Sequence, residues 1–252
     1  MGSEMCIRDR SFGERNSAFI ISEYFKKRGI PASFLDARKV IRTDKAFGRA
    51  KVNNKITEES INSYYNEHND KTHVVTGFIA SDVGGLTTTL GRGGSDYTAA
   101  ILAGALNATV LEIWTDVDGV LTSNPKIVKN AYTIPQLSYD EAMELSHFGA
   151  KVIYPPTIQP ALSKSIPIYI KNTFNPSFAG TLISGNVSKG GKRKITGVSS
   201  ITEIALITLE GSGLMGIPGT AARLFTALGH DDINVVMITQ ASSEHSICLA
   251  IN

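Results

Sequence analysis

Three short stretches of the 252-residue sequence hold side chains able to do chemistry. The first is Gly91-Arg92-Gly93-Gly94-Ser95-Asp96. Gly91, Gly93 and Gly94 let the backbone approach a ligand closely and take positive φ. Ser95 is a good N-cap, and a helix starting there would point free N–H groups at an anion. Arg92 offers a planar fork suited to a carboxylate, and Asp96 an acceptor for an ammonium group, so together they are complementary to an amino-acid zwitterion. The same two residues, four apart, also make an ordinary ion pair at a helix start, beside glycines that only form a tight turn. The motif alone leaves both readings open. The second stretch, Thr115-Asp116-Val117-Asp118-Gly119, follows an apolar run and lies at a strand's carboxyl end, where α/β sheets place ligands. The third is Phe148-Gly149-Ala150-Lys151, a cation just past a helix end, where the macrodipole favours it.

The elements that must position these residues follow from periodicity. Residues 72–79 are β-branched and apolar, as a buried strand requires, and 96–105 run without a breaker until Gly104, as a buried helix would. Before them, residues 11–29 predict an amphipathic helix with Ala18, Ile21 and Phe25 on one row, ended by Gly29 and Pro31. A strand follows at 32–35, then a polar surface excursion over 42–56, then a helix capped by Thr57 and running to about Glu67. After the central turn, 109–114 predict a second buried strand, Ser138-x-x-Glu141 a capping box opening a helix that closes near Gly149, Pro155-Pro156 another helix start, and 166–170 one more strand. Strands and helices alternate through residue 172, so the expected class is α/β, a mainly parallel sheet sandwiched by helices. Residues 185–195, rich in glycine and lysine, read as a linker. Beyond it come a strand at 204–209, a glycine turn at 211–213, a helix with Ala221, Leu224, Phe225 and Leu228 on one face, and strands at 234–239 and 245–251, a βαββ unit. The first ten residues, MGSEMCIRDR, have neither period and are read as a junction segment outside the fold.

With 42% hydrophobic and 19% charged residues, the chain can bury a large core plus a smaller one. A net charge of +2 gives no electrostatic case for nucleic acid, and Lys192-Arg193-Lys194 reads as a solvated part of the linker. The two cysteines, Cys6 and Cys248, make no disulfide framework, and no Cys/His cluster has metal-ligand spacing. The longest apolar segment, 97–114, is interrupted by Asn107 and Glu112 and is no membrane span. A cytoplasmic location is the expectation.

The run TTTLGRGGSDYTAA, then IWTDVDGV, then FGAKVIYPP resembles, in order and spacing, the aspartate kinases of the amino acid kinase family from about Ser11 onward. The segments ITEIALITLEGSGLMGIPGTAARLF and VVMITQASSEHSIC resemble the first regulatory ACT unit of the threonine-sensitive bifunctional aspartate kinase–homoserine dehydrogenases. The resemblance implies a domain layout of 1–10 as junction, 11–184 as the C-terminal part of a catalytic domain, 185–195 as linker and 196–252 as a partial α+β ACT domain. It implies ATP-dependent phosphorylation of the side-chain carboxylate of L-aspartate, with Mg2+ accompanying the nucleotide. By the same resemblance Arg92, Ser95 and Asp96 hold aspartate with help from Glu14, the glycines 91, 93 and 94 form the phosphate-side loop, and Thr115, Asp116, Lys126, Lys151 and Val152 contact the nucleotide. Glu14 is also an acidic residue near a helix start, as the dipole favours. Gln240 matches the effector position, with threonine favoured over lysine, and ACT units imply a homo-oligomer. Where many relatives carry tyrosine and arginine, this chain has Leu121 and Lys126, and lysine neutralises charge without a bidentate fork.

Two other readings compete. DVDGV after a buried strand also resembles the nucleophile motif of haloacid-dehalogenase-type phosphatases, in which Asp116 would attack phosphate and Asp118 would act as acid/base. An amino-acid-sensing regulator without catalysis would need only the ACT-like unit, and would have no use for GRGGSD and FGAK. An EF-hand is excluded because Gly119 falls at the wrong place in the loop. The Lys-Phe-Gly-Gly-Thr turn with which the resembling family opens does not occur before Ser11, and the ACT-like unit stops early. The sequence is therefore expected to be a piece that does not turn over aspartate alone.

Overall fold

The computed structural model describes residues 4–46, 48, 50–69, 71–147, 153–185, 195–211, 217–240 and 246–251. It divides into two compact units, Met1–Ser199 and Ser200–Asn252.

The first unit opens with helix α1 (Glu4–Lys27), which ends before Gly29 at positive φ. The helix begins inside the segment expected to be a junction, and Ile7 is buried. Those residues continue the helix instead of standing outside it. The predicted apolar row of α1 is only partly right: Ala18 is buried and Phe25 half-buried, whereas Ile21 is exposed. The buried side is completed by the small polar residues Ser11 and Ser22, which an apolar period does not register.

Strand β1 (Ala32–Leu35) pairs in parallel with β3 (Thr72–Val75). The polar stretch expected to be a surface excursion contributes β2 (Arg42–Thr43), parallel to β4 (Ile79–Asp82), which in turn pairs antiparallel with β5 (Thr87–Thr89). Thr57 does not cap α2 (Asn54–Glu67): Asn53 does, its side chain accepting from the Ile56 N–H. Thr57 is instead buried, its hydroxyl accepting from the Arg42 N–H at 3.0 Å.

The single strand expected over 72–79 is two strands, β3 and β4, broken at Thr76-Gly77-Phe78. Phe78 takes φ 68, a conformation that costs a bulky side chain energy and has to be held by its surroundings. After the hairpin comes α3 (Gly94–Ala105), then β6 (Leu111–Thr115). Strand β6 is not buried on both sides: Leu111 and Ile113 face the core while Glu112 and Trp114 are exposed.

A four-stranded sheet with the order β6-β8-β9-β7 completes the unit, built from β6, β7 (Gln136–Leu137), β8 (Ile168–Asn172) and β9 (Thr181–Ile183). β6 with β8 and β7 with β9 are parallel, and only β8 with β9 is antiparallel, so the sheet pairing of the unit is mainly parallel. Helix α4 (Tyr139–His147) starts with the predicted capping box, in which the Glu141 N–H donates to Ser138 Oγ at 3.1 Å and the Ser138 N–H to Glu141 Oε2 at 2.9 Å. Helix α5 (Pro155–Ser163) starts at the predicted proline pair.

One core gathers Ile113, Leu137, Ile158, Ile168, Ile170 and Ile183 between this sheet and α3, α4 and α5. Another gathers Leu35, Ile41, Ile61, Ala80 and Ile101 between the first strands and α2 and α3. Each fully buried isoleucine or leucine contributes about 1.5–3 kcal/mol relative to exposure, and α3 enters both cores, through Ala100 and Ala103 on one side and Ile101 and Ala105 on the other.

The second unit is β10 (Ala205–Glu210), α6 (Thr220–His230), β11 (Val235–Gln240) and β12 (Ser246–Ile251), the expected βαββ order. β12 lies between β10 and β11, antiparallel to both. Ala221, Leu224, Phe225 and Leu228 are half-buried in α6, as their spacing predicts, together with Thr220 at its start. Cys248 is a free thiol within β12. Most of the predicted linker and the glycine turn, at 186–194 and 212–216, lie outside the described residues. No helix among the described residues is long and apolar enough to cross a membrane.

Candidate active site

The glycine turn forms the floor of a cleft of about 330 Å3 that Glu14, Phe78, Gly91, Gly93, Gly94, Ser95 and Asp96 line together. It thus brings Glu14 of α1, far away in sequence, onto the GRGGSD turn. Ser95 is not the N-cap. Gly93 is, with φ 67 and ψ 18, and no side chain caps the helix, so Ser95 sits exposed in its first turn. The N–H groups at the α3 start are therefore left without a side-chain cap, as an anion site requires.

The turn is tightly held. A Cβ at Gly94 would lie 2.8 Å from Phe78 Cδ2, and one at Gly93 would lie 2.9 Å from Tyr154 Cβ. Buried Thr98 ties the strand break to the helix: its hydroxyl accepts from the Phe78 N–H at 3.1 Å and donates to the Gly94 carbonyl at 2.8 Å. Sequence reasoning missed both Phe78 and Thr98. The signal was there in Gly77, a glycine inside an otherwise β-branched run, which marks a break or a close approach.

Two charges in this well-packed turn have no partner among the described residues. Arg92 is exposed, and among the described residues neither Arg92 nor Asp96 forms an ion pair. The ordinary helix-start pair, one of the two readings open at the sequence level, is thus not formed. Burial pushes the Asp96 carboxyl above the usual carboxylate range, and no cation among the described residues offsets it. A half-buried acid left unpaired is destabilising, and a bound cation restores what it lacks.

Beside Glu14 stands a second network that the sequence did not announce. Arg15 Nε lies 3.2 Å from Asp36 Oδ2, an ion pair without hydrogen-bond geometry. Asp36 is in turn gripped by Arg38, whose Nη2 donates at 2.6 Å. Burial pushes the Asp36 carboxyl up, but the Arg38 side-chain and backbone hydrogen bonds and the charges of Arg38 and Arg15 outweigh it and hold the group below its usual range. This paired acid anchors the helix that carries Glu14.

The second motif is placed differently. Thr115 ends β6, its carbonyl accepting from the Thr173 N–H at 2.9 Å, and Asp116 beyond it is exposed, accepting from the Thr115 hydroxyl at 3.2 Å. Asp118 Oδ1 accepts from Asn172 Nδ2 at 2.9 Å and Asn175 Nδ2 at 3.2 Å, which fixes the loop to the end of β8. A carboxylate so occupied is a positioning group, which weighs against the acid/base role that the phosphatase reading gave it. Lys126 is exposed in the following loop, and Gln240 ends β11 opposite Ile247. Lys151 and Val152 lie outside the described residues, although Tyr154, three positions after Lys151, packs on Gly93. Among the described residues no three His, Cys, Asp or Glu side chains gather as a metal cluster.

A family model covers this arrangement of a glycine turn feeding a central helix with an acidic strand end after it. Residues 10–172 match the amino acid kinase family and residues 207–252 an ACT domain, so the chain belongs to the amino acid kinase family and carries an ACT domain behind it. It is 41% identical over 239 residues to a bifunctional aspartokinase/homoserine dehydrogenase of Haemophilus influenzae, covering 95% of this chain and 29% of that protein. It is 36% identical over 243 residues to the lysine-sensitive aspartokinase 3 of Escherichia coli, covering 96% of this chain and 53% of that protein. The crystal structure of E. coli aspartokinase III in complex with aspartate and ADP superposes with a TM-score of 0.82 at 34% identity, covering 99% of this chain and 55% of that one. The chain therefore spans between about a quarter and just over half of these relatives.

Proposed function

We propose that this chain is part of an aspartokinase and supplies the aspartate-binding cleft and the nucleotide-side strand end for transfer of the ATP γ-phosphoryl group to the side-chain carboxylate of L-aspartate. The observation that carries the reading is the half-buried Asp96, unpaired among the described residues, in a cleft shared with Glu14 and the uncapped start of α3. The names of its relatives, and the aspartate and ADP bound in the superposing structure, point the same way.

On this reading Asp96 accepts the substrate ammonium, Arg92 forks onto the α-carboxylate, and Glu14 orients the molecule with the help of Ser95. The side-chain carboxylate oxygen then forms a bond to the γ-phosphorus while the bond from that phosphorus to the β,γ-bridging oxygen breaks. The products are 4-phospho-L-aspartate and ADP. Transfer of this kind relies on positioning and on neutralising charge at the phosphoryl oxygens. Gly91, Gly93 and Gly94 form the phosphate-side loop on this reading, with the Gly94 N–H already donated to the Gly91 carbonyl at 3.1 Å, which closes the turn. Thr115, Asp116, Lys126, Lys151 and Val152 make the nucleotide side. Mg2+ favours phosphate oxygens and water with one or two carboxylates, and exposed Asp116 fits that sparse donor set, where the ion would supply charge neutralisation.

The ACT unit is assigned feedback control by an amino acid, threonine ahead of lysine, with Gln240 as a contact and pairing of ACT units as the route to a homo-oligomer. The cytoplasm is the proposed location. The test is aspartate-dependent ADP release, followed by a coupled spectrophotometric assay in the longest natural protein that carries this sequence. Release that requires aspartate, and is inhibited by threonine in a way that Gln240→Ala relieves, is the expected result. A phosphorylated Asp116 trapped from a phosphate monoester would overturn the kinase reading.

A further inference from the structure

A second cleft, of about 370 Å3, opens between α2, α3 and α5, and none of the residues that line it lines the glycine-turn cleft. Its volume lies within the range of small-molecule sites. Its lining has two parts. Ile101, Ala105 and Pro160 give an apolar floor, and α3 and α5 touch along it, since a Cβ on Gly104 would lie 3.1 Å from the Pro160 carbonyl oxygen.

The rim is charged and of both signs. Lys164 Nζ, at the C-cap of α5, lies 3.8 Å from Glu58 Oε1 of α2, with the two side chains 41% and 50% exposed. A half-exposed pair at that distance contributes little to stability, so opening it costs little. Once apart, its members present an ammonium and a carboxylate on facing helices, above an apolar surface. The amide of Gln159 and the phenol of Tyr97, held above its usual range by burial and so a neutral donor, border the same cleft.

We propose that this cleft is a binding site for a small zwitterion with an apolar body, an apolar α-amino acid, whose carboxylate goes to Lys164, whose ammonium goes to Glu58, and whose side chain lies on Ile101, Ala105 and Pro160. A purely apolar ligand would leave the two rim charges unused, and a simple anion would meet Glu58. The observations favour the combination of opposite charges and an aliphatic body over either alone.

The test uses the chain with three probes of the same aliphatic shape: L-leucine, 4-methylpentanoate, which lacks the ammonium, and 3-methylbutylamine, which lacks the carboxylate. Binding is followed through the backbone amide resonances of Ile101, Gly104 and Ser163. The expected result is saturable shifts with L-leucine, and binding at least about tenfold weaker for each half-ligand, the discrimination that one charged contact of this kind gives. In Glu58→Gln the preference for L-leucine over 4-methylpentanoate should vanish. In Lys164→Met the preference over 3-methylbutylamine should vanish. Both positions are half-exposed rim sites, so the variants should fold, and an unchanged amide spectrum of the free protein checks that. No saturable shift with any probe, equal affinity for L-leucine and a half-ligand, or shifts that neither substitution alters would each overturn the proposal.

Discussion

The glycine turn at residues 91–96 and the strand-end loop at 115–126 belong to the same proposed site, yet they are built on opposite plans. In the turn the backbone is packed against Phe78 and Tyr154 and its two charged side chains have no partner among the described residues. In the loop one carboxylate, Asp118, is spent on holding the chain in place through Asn172 and Asn175, the Val120 N–H donates to the Thr181 hydroxyl, and only Asp116 and residues 124–126 are exposed. The difference teaches where selectivity resides. Rigid backbone with unsatisfied charge discriminates between ligands, because a wrong ligand leaves the charge unpaired. A loop whose middle is hydrogen-bonded and whose Asp116 and residues 124–126 stand at the surface would, on the proposed reading, grip what every nucleotide shares.

The largest effect that separates the two plans should come from Asp96→Ala, which on the proposed reading lowers kcat/KM for aspartate by roughly 100-fold or more while the KM for ATP stays within about twofold. Arg92→Ala should behave alike, with a smaller loss of roughly 10- to 100-fold, since its exposed charge is better screened. Asp116→Ala should show the reverse split, raising the KM for ATP with little change for aspartate. Steady-state kinetics with each substrate varied in turn checks all three, and equal effects on both substrates would erase the contrast.

Packing gives a second contrast. Gly93→Ala puts a side chain at φ 67 and against Tyr154, and should cost about 1–3 kcal/mol in denaturant unfolding, whereas Gly13→Ala, with nothing near its Cβ, should cost no stability. A Gly93→Ala protein of normal stability would mean that the turn is looser than described.

pH separates buried Asp36 from half-buried Asp96. Asp36 is held below its usual range, so its contribution to stability is present above the ordinary carboxylate pKa and is lost as pH falls through its own lower value. Asp96 is raised, so its ionised form opposes folding, and stability falls as pH rises from the ordinary value through its higher one. Aspartate binding should have the opposite dependence, weakening as Asp96 takes up a proton. The smallest effect follows: Asp96→Asn should raise the melting temperature by roughly 1–2 °C while removing ammonium recognition. A lower melting temperature in calorimetry would show that Asp96 has a stabilising partner.

Much of this was legible in the residues. Alternation gave the α/β class, and Ser138, Glu141, Pro155 and Pro156 located two helix starts because capping boxes and proline pairs act locally. The Gly91 to Asp96 turn was legible for the same reason. What the sequence hid is what depends on distant partners. The strand break at Phe78 is held by Thr98, twenty residues on. The burial of Ser11, Ser22 and Thr57, and the Arg15–Asp36–Arg38 cluster, depend on contacts that no period reports. Asn53 took the capping role from Thr57 because Thr57 was already engaged with the backbone of β2.

The central claim is that unpaired Asp96 reads an ammonium group, and the most direct test compares L-aspartate with succinate, which has both carboxylates and no ammonium. Titrated by calorimetry into the protein and into Asp96→Asn, the unaltered protein should prefer aspartate by about tenfold or more, and the variant should bind the two alike. Retention of the full preference in Asp96→Asn would contradict the account.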